Sequence, residues 1–263
     1  VENGEVVVIS DQGLQSFKPF PLAPYRPCIF EYIYFARPDS IVDGRSVYDC
    51  RKKIGRQLAL ESPSSAEVVV PVPDSGVPAA LGFAEESGIP FELGIIRNHY
   101  VGRTFIEPQQ SSRDFGVKLK HNINRHVVDG KSVVLIDDSI VRGTTSIKIV
   151  ELMRKAGASE VHMKIASPPI KFPDFYGIDT PNSSQLLASL KSIDEMKSFI
   201  GVDSLSFLSV DGLYKAMGYK NGRDNNNPAF TDHCFTGDYP TPLRDNNAEW
   251  LNQPSELAIQ EEM

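Results

Sequence analysis

Several classes of protein are excluded by what this sequence has little of. Three cysteines, Cys28, Cys50 and Cys234, are too few and too scattered for a disulfide framework, which points to a reducing compartment and a cytoplasmic protein. No uncharged apolar run approaches the roughly 20 residues that a membrane-spanning helix requires, so no membrane partner is expected. Basic charge is also short: 27 Lys and Arg against 34 Asp and Glu leave a net −7, which disfavours binding to nucleic acid. Glycine and proline, at 19 each, are too few for a collagen-like or low-complexity chain. What remains is 41% hydrophobic and 9% aromatic residues in 263, enough for one large domain or two modest ones with a buried core.

Short β-branched runs alternate with segments of helical spacing from Cys28 onward, the pattern of an α/β fold. Strands are expected at 6–9, 29–35, 68–72, 93–96, 132–136, 161–166 and 205–208. Helices are expected at 47–60, 77–87, 145–156 and 210–217, with two short ones at 184–190 and 193–201. Val133-Val134-Leu135-Ile136 is apolar without interruption and reads as a central parallel strand buried on both faces. Gly157 suits the end of the helix before it. Beyond Lys220, the Asn225-Asn226-Asn227 run and the acidic end read as loop and polar tail with no packed element.

The segment from Arg97 to Lys131 carries seven basic residues against three acidic ones, a net +4 that leaves −11 for the rest. So long a connection is a lid, a binding loop or a solvated surface loop. The first two suit a polyanionic substrate.

Chemistry concentrates in Asp137-Asp138-Ser139-Ile140-Val141-Arg142-Gly143-Thr144-Thr145, which follows the central strand. Ligands bind at the carboxyl ends of such strands, and a hydroxyl- and glycine-rich turn into a helix presents N–H groups to a phosphate. Two carboxylates beside a phosphate need ribose hydroxyls or a divalent cation to face instead. The sequence has neither a Gly-x-x-x-x-Gly-Lys-Ser/Thr loop nor a Gly-x-Gly-x-x-Gly turn.

This stretch resembles the phosphoribosyl-pyrophosphate motif of the type I phosphoribosyltransferases, and in detail that of the amidophosphoribosyltransferase family, which opens purine synthesis. Three further stretches match in order: Cys28 to Ser40, Tyr100 to Ile106 and Ala166 to Lys171. The resemblance covers about Val6 to Leu243. It implies a type I phosphoribosyltransferase fold, a central parallel sheet flanked by helices. It also implies that ammonia displaces pyrophosphate from phosphoribosyl pyrophosphate.

By the same resemblance, Asp137 and Asp138 bind the ribose and, with Ser75, hold Mg²⁺. Ser139, Val141, Arg142, Gly143, Thr144 and Thr145 wrap the 5′-phosphate, and Asp74, Ser75 and Gly76 form the pyrophosphate loop. Read alone, that last stretch is equally an ordinary helix N-cap. Residues 97–120 match a closing catalytic loop, with Arg97, Tyr100, Arg103 and Thr104 as its catalytic residues. Position 99 carries His where the family commonly has Arg. Tyr32, Tyr34 and Phe35 either line an ammonia path or pack in the core.

Family members join this part to an upstream glutaminase domain, form homo-oligomers and take purine nucleotides as feedback inhibitors. Residues 1–27 are accordingly expected to be the end of that domain plus a linker, 28–219 the phosphoribosyltransferase domain, and 220–263 a loop and tail. Some members hold an iron–sulfur cluster on four cysteines. Cys28 and Cys234 stand at two of those positions, but Asp174 and Thr231 occupy the others, so no four-thiolate cluster is expected. Two alternatives are a nucleobase phosphoribosyltransferase and a non-catalytic regulator of the same fold.

Overall fold

The computed structural model describes residues 1–21, 23–98, 121–177 and 182–243. Its centre is a four-stranded parallel sheet in the order β4 (Ser204–Phe207), β3 (Glu160–Ile165), β2 (Ser132–Asp137), β1 (Val68–Pro71). Side chains alternate across this sheet and feed two cores. Val69, Val134, Ile136 and Ala166 face α1 (Val47–Glu61) and α2 (Val77–Ser87). Val68, Val70, Val133, Leu135, Met163 and Ile165 face the other side, with Ile149, Val150 and Met153 of the helix Thr144–Lys155 and Met196 and Ile200 of the helix Ile193–Ile200. Val133 to Ile136 are wholly buried, as expected of a central strand, and burying each such side chain stabilises by about 1.5–3 kcal/mol.

Helix ends follow local chemistry. Ser46 and Ser209 cap their helices by accepting from Asp49 N and Gly212 N, and Ser192 with Glu195 forms a capping box. Gly157, expected to terminate the helix before it, has φ +102°. Where α1 and α2 cross, a Cβ on Gly55 would lie 1.9 Å from the Ala79 carbonyl oxygen, and one on Gly82 would lie 1.9 Å from that of Lys52. Only bare backbone allows so close a crossing. Gly55→Ala should therefore destabilise by about 1–3 kcal/mol, and Gly82→Ala likewise. Thermal unfolding followed by circular dichroism checks this; an unchanged midpoint would mean that the helices separate freely.

Three expectations are corrected. The run expected as a strand over 29–35 forms a π-helical turn, Glu31–Phe35, in which Ala36 N donates to Glu31 O at 3.2 Å. Its Tyr32 and Ile33 are buried. The connection expected to be irregular up to Asp129 contains a strand, His121–Ile123, paired antiparallel with Ile95–Arg97, and a turn of helix, Arg125–Val128.

The third concerns the region beyond Lys220, where a packed element is present: the helical turn His233–Thr236, with Phe230, Cys234 and Phe235 in the core. A buried ion pair between Arg223 and Asp232 pins it in place. Near the start, Val6–Ser10 and Gly13–Phe17 form an antiparallel hairpin whose residues are exposed or half-buried. Among the described residues no helix is long and apolar enough to cross a membrane.

Candidate active site

The site forms where β2 and β1 end side by side. Val72 N donates to Ile136 O at 2.8 Å, which brings the loop 72–76 against the carboxyl end of the central strand. Gly76 is needed there, because a Cβ would lie 2.6 Å from Ile136 O and 2.8 Å from Val72 O. It is also the residue before α2, and no side chain caps that helix. Ser75 thus does not serve as an N-cap; its hydroxyl bonds to the Asp138 carboxylate instead. The Pro73–Asp74 peptide is cis.

Asp137 and Asp138 are almost fully buried, at 8% and 6% exposure. Asp138 N donates to Asp137 Oδ1 at 2.9 Å, and Ser139 Oγ donates to Asp138. Burial, and then the neighbouring Asp138 charge, pushes the Asp137 carboxyl well above the ordinary range. Burial also raises Asp138, against the hydrogen bonds from Ser139 and Ser75 and the charge of Arg51. Among the described residues no set of three or more His, Cys, Asp or Glu is arranged to hold a metal. Two buried carboxylates and a hydroxyl nonetheless fit Mg²⁺, which is bound by one or two carboxylates with substrate oxygens completing the shell.

The turn after the pair leads into the helix Thr144–Lys155 through Gly143, whose φ is +78° and whose Cβ position is blocked at 2.7 Å by Leu187 Cδ2. That helix start also lacks a side-chain cap, leaving its N–H groups and the Thr144 and Thr145 hydroxyls for an anion. Val141 is held by its carbonyl, which accepts from Leu187 N at 2.9 Å. Arg142 lies on the rim, where Nε and Nη2 donate to Gln185 Oε1 at 3.2 and 2.9 Å. Arg97, at the end of its strand, reaches across to pair with Asp74 of the loop 72–76. Tyr100, Arg103, Thr104 and most of the expected catalytic loop lie outside the described residues.

Sequence reasoning missed Arg51, which is 4% exposed and bonded to the turn 31–36. Its signal was a charge beside the apolar stripe Val47, Cys50, Ile54, Leu58 of α1. Tyr32 is core, with its hydroxyl on Val42 O at 3.1 Å, whereas Tyr34 and Phe35 are exposed. The four positions that carry cluster cysteines in some relatives converge: Cys28 bridges to Thr231, and Cys234 lies near Cys28 and Asp174. Two thiols cannot supply four thiolates, and Asp174 is committed to His233 Nε2 at 2.8 Å, so the residues do not fit an iron–sulfur cluster.

Residues 39–166 match the family model described as phosphoribosyl transferase domain. The chain is 61% identical to the amidophosphoribosyltransferase of Rhizobium etli over 98% of its length and 53% of that protein's. It is 53% identical to that of Bacillus subtilis, over 92% of this chain and 51% of that one. A solved structure of the Bacillus subtilis glutamine phosphoribosylpyrophosphate amidotransferase, complexed with ADP and GMP, superposes with a TM-score of 0.79 at 52% identity, covering 94% of this chain and 54% of the other. The chain spans about half the length of the curated relatives it matches. Likeness at this identity over nearly the whole chain shows that it belongs to the amidophosphoribosyltransferase family and corresponds to its phosphoribosyltransferase part.

Proposed function

We propose that the chain carries out the synthase half-reaction of its family: ammonia attacks C1 of phosphoribosyl pyrophosphate, the C1–O bond to pyrophosphate breaks, and phosphoribosylamine forms as one proton leaves the nitrogen. The observation that carries this is the buried Asp137–Asp138 pair, held by Ser75 of one loop and opening onto the uncapped helix start at Gly143.

In this reading the carboxylates orient the ribose hydroxyls, while the N–H groups after Gly143 and the hydroxyls of Ser139, Thr144 and Thr145 hold the 5′-phosphate. Asp74, Ser75 and Gly76 receive the pyrophosphate, and Arg97 exchanges Asp74 for it, stabilising the charge that develops on departure. Mg²⁺ held by Asp137, Asp138 and Ser75 supplies neutralisation of that same charge. Tyr100, Arg103 and Thr104 take the catalytic roles that the family resemblance gives them, with Arg103 a further cation for the departing pyrophosphate. No protein nucleophile is required.

Purine nucleotides compete at the phosphate cradle, which agrees with the nucleotides bound by the Bacillus relative. The protein is cytoplasmic and works as a homo-oligomer. The largely exposed hairpin 6–17 packs against a glutaminase domain corresponding to the half of the relatives not spanned here. Residues 28–219 form the catalytic domain, and the packed turn at 233–236 closes its flank.

The test is pyrophosphate release from phosphoribosyl pyrophosphate and Mg²⁺, with ammonium chloride or with glutamine. Release is expected with ammonium and not with glutamine. Binding of the substrate by calorimetry with no release under either condition would overturn the catalytic reading in favour of a regulator of the same fold.

A further inference from the structure

The turn that leads from the acidic pair into the helix Thr144–Lys155 is gripped by a segment much later in the chain. Leu187 N donates to Val141 O at 2.9 Å, and Leu187 Cδ2 fills the place of a Gly143 side chain, 2.7 Å from where its Cβ would be. Gln185 Oε1 accepts from Arg142 Nε at 3.2 Å and from Arg142 Nη2 at 2.9 Å, across a separation of 43 residues. Residues 141, 142 and 143 of the turn are thus each met by Gln185 or Leu187. The gripping segment is itself anchored. Leu186 is buried in one core and Leu187 in the other, and Ser189 Oγ donates to Lys171 O.

We propose that Gln185 is a positioning residue, which holds the Arg142 guanidinium at the rim of this turn in readiness for the 5′-phosphate of the substrate. This rests on the phosphoribosyltransferase reading above, in which residues 139–145 wrap that phosphate. The physical reason is conformational entropy. Arg142 is exposed, and a free arginine side chain spreads over many rotamers that an incoming anion would have to order. Two bonds to one amide oxygen fix the guanidinium plane and use two of its five N–H donors, which leaves the others for a phosphate. Ordering the side chain beforehand moves that cost from binding to folding. Because Leu186 and Leu187 are anchored in two cores, the amide cannot simply follow the arginine. Gln185 touches no substrate in this scheme; it acts through Arg142.

The test is a mutant cycle on the pair: Gln185→Leu, which removes the acceptor at similar length, Arg142→Leu, and the two together. Gln185→Glu, which keeps an acceptor oxygen at the same reach, is the conservative control. Both residues are exposed, so none of these changes leaves a buried gap. Each protein is measured for KM and kcat of pyrophosphate release with ammonium chloride, and for affinity toward ribose 5-phosphate by calorimetry. Gln185→Leu is expected to raise KM and to weaken ribose 5-phosphate binding by about fivefold, the scale of one charged contact at an exposed rim, with kcat unchanged. Gln185→Glu is expected to recover most of that loss. In the Arg142→Leu background, Gln185→Leu should cost nothing further.

A role confined to holding the segment 183–190 together would persist without Arg142. The same loss with and without Arg142, an unchanged KM and affinity in Gln185→Leu, or a Glu variant no better than the Leu variant would each overturn the inference. A wild type that binds ribose 5-phosphate yet releases no pyrophosphate with ammonium would count against the catalytic reading instead, and the affinities across the cycle would still decide the role of Gln185.

Discussion

Asparagine at positions 137 and 138 will cut pyrophosphate release by at least 100-fold, the scale on which an electrostatic stabiliser acts, and will raise the melting temperature of the free protein. Both effects come from one fact. The two carboxylates are buried side by side, and among the described residues the cation acting on the pair is one guanidinium felt at Asp138. The arrangement suits a bound cation and substrate and disfavours the empty protein, an example of function at a cost in stability.

A pH dependence follows, and its sign can be fixed. Burial first, and the neighbouring charge second, hold the Asp137 carboxyl well above its ordinary value of about 3.9, so the folded protein keeps a proton that the unfolded chain releases. The stability from this group is complete below the unfolded value and is lost as pH rises through the folded one. Metal-free wild type should thus lose stability from about pH 4 upward, where the unfolded group titrates. The double asparagine variant should not show that slope. Urea midpoints measured across pH with chelator present would decide it; parallel profiles would sink the account.

Asp232→Ala is expected to destabilise the fold by about 3–5 kcal/mol, the usual result of removing one partner of a buried pair. Arg223 grips Asp232 with both ends of its fork, Nε to Oδ2 at 2.6 Å and Nη2 to Oδ1 at 3.1 Å. Tyr214 donates to the same carboxylate at 2.8 Å and Thr236 at 3.0 Å. Asp232 is wholly buried and the Arg223 side chain is 8% exposed, so truncation leaves the guanidinium with Asp238 as its remaining carboxylate and strips Tyr214 and Thr236 of their buried acceptor. Removing both charges in Arg223→Met/Asp232→Leu should recover much of the loss, since the desolvation cost goes with them. Denaturant unfolding of the wild type, the two single variants and the double variant measures the coupling. A cost below about 1 kcal/mol for Asp232→Ala would mean that the pair behaves as an exposed one.

The sequence by itself determined the elements whose signals are local. An apolar run such as Val133 to Ile136 can only be satisfied by burial on both faces, and the strand is there. Asp137, Asp138 and the Gly143 turn were legible because a strand end, two acids and a glycine that must take positive φ are adjacent in the chain. Helix starts at Val47 and Val77 were legible for the same reason of short range.

Tertiary structure decided whatever depends on residues far apart in sequence. Whether Ser75 capped its own helix or bonded to Asp138 could not be read from its neighbours, because both readings use the same hydroxyl. The aromatic run 31–35 has the composition of a strand, but the carbonyls it presents to Arg51 hold it as a turn of π-helix. Beyond Lys220 the chain is polar enough to read as a tail. It packs because Asp232 finds Arg223 and Tyr214, and a buried carboxylate is tolerated only where such partners meet it. Local pattern fixes which residues can form an element, while long-range hydrogen bonds and ion pairs choose between arrangements that the same residues allow.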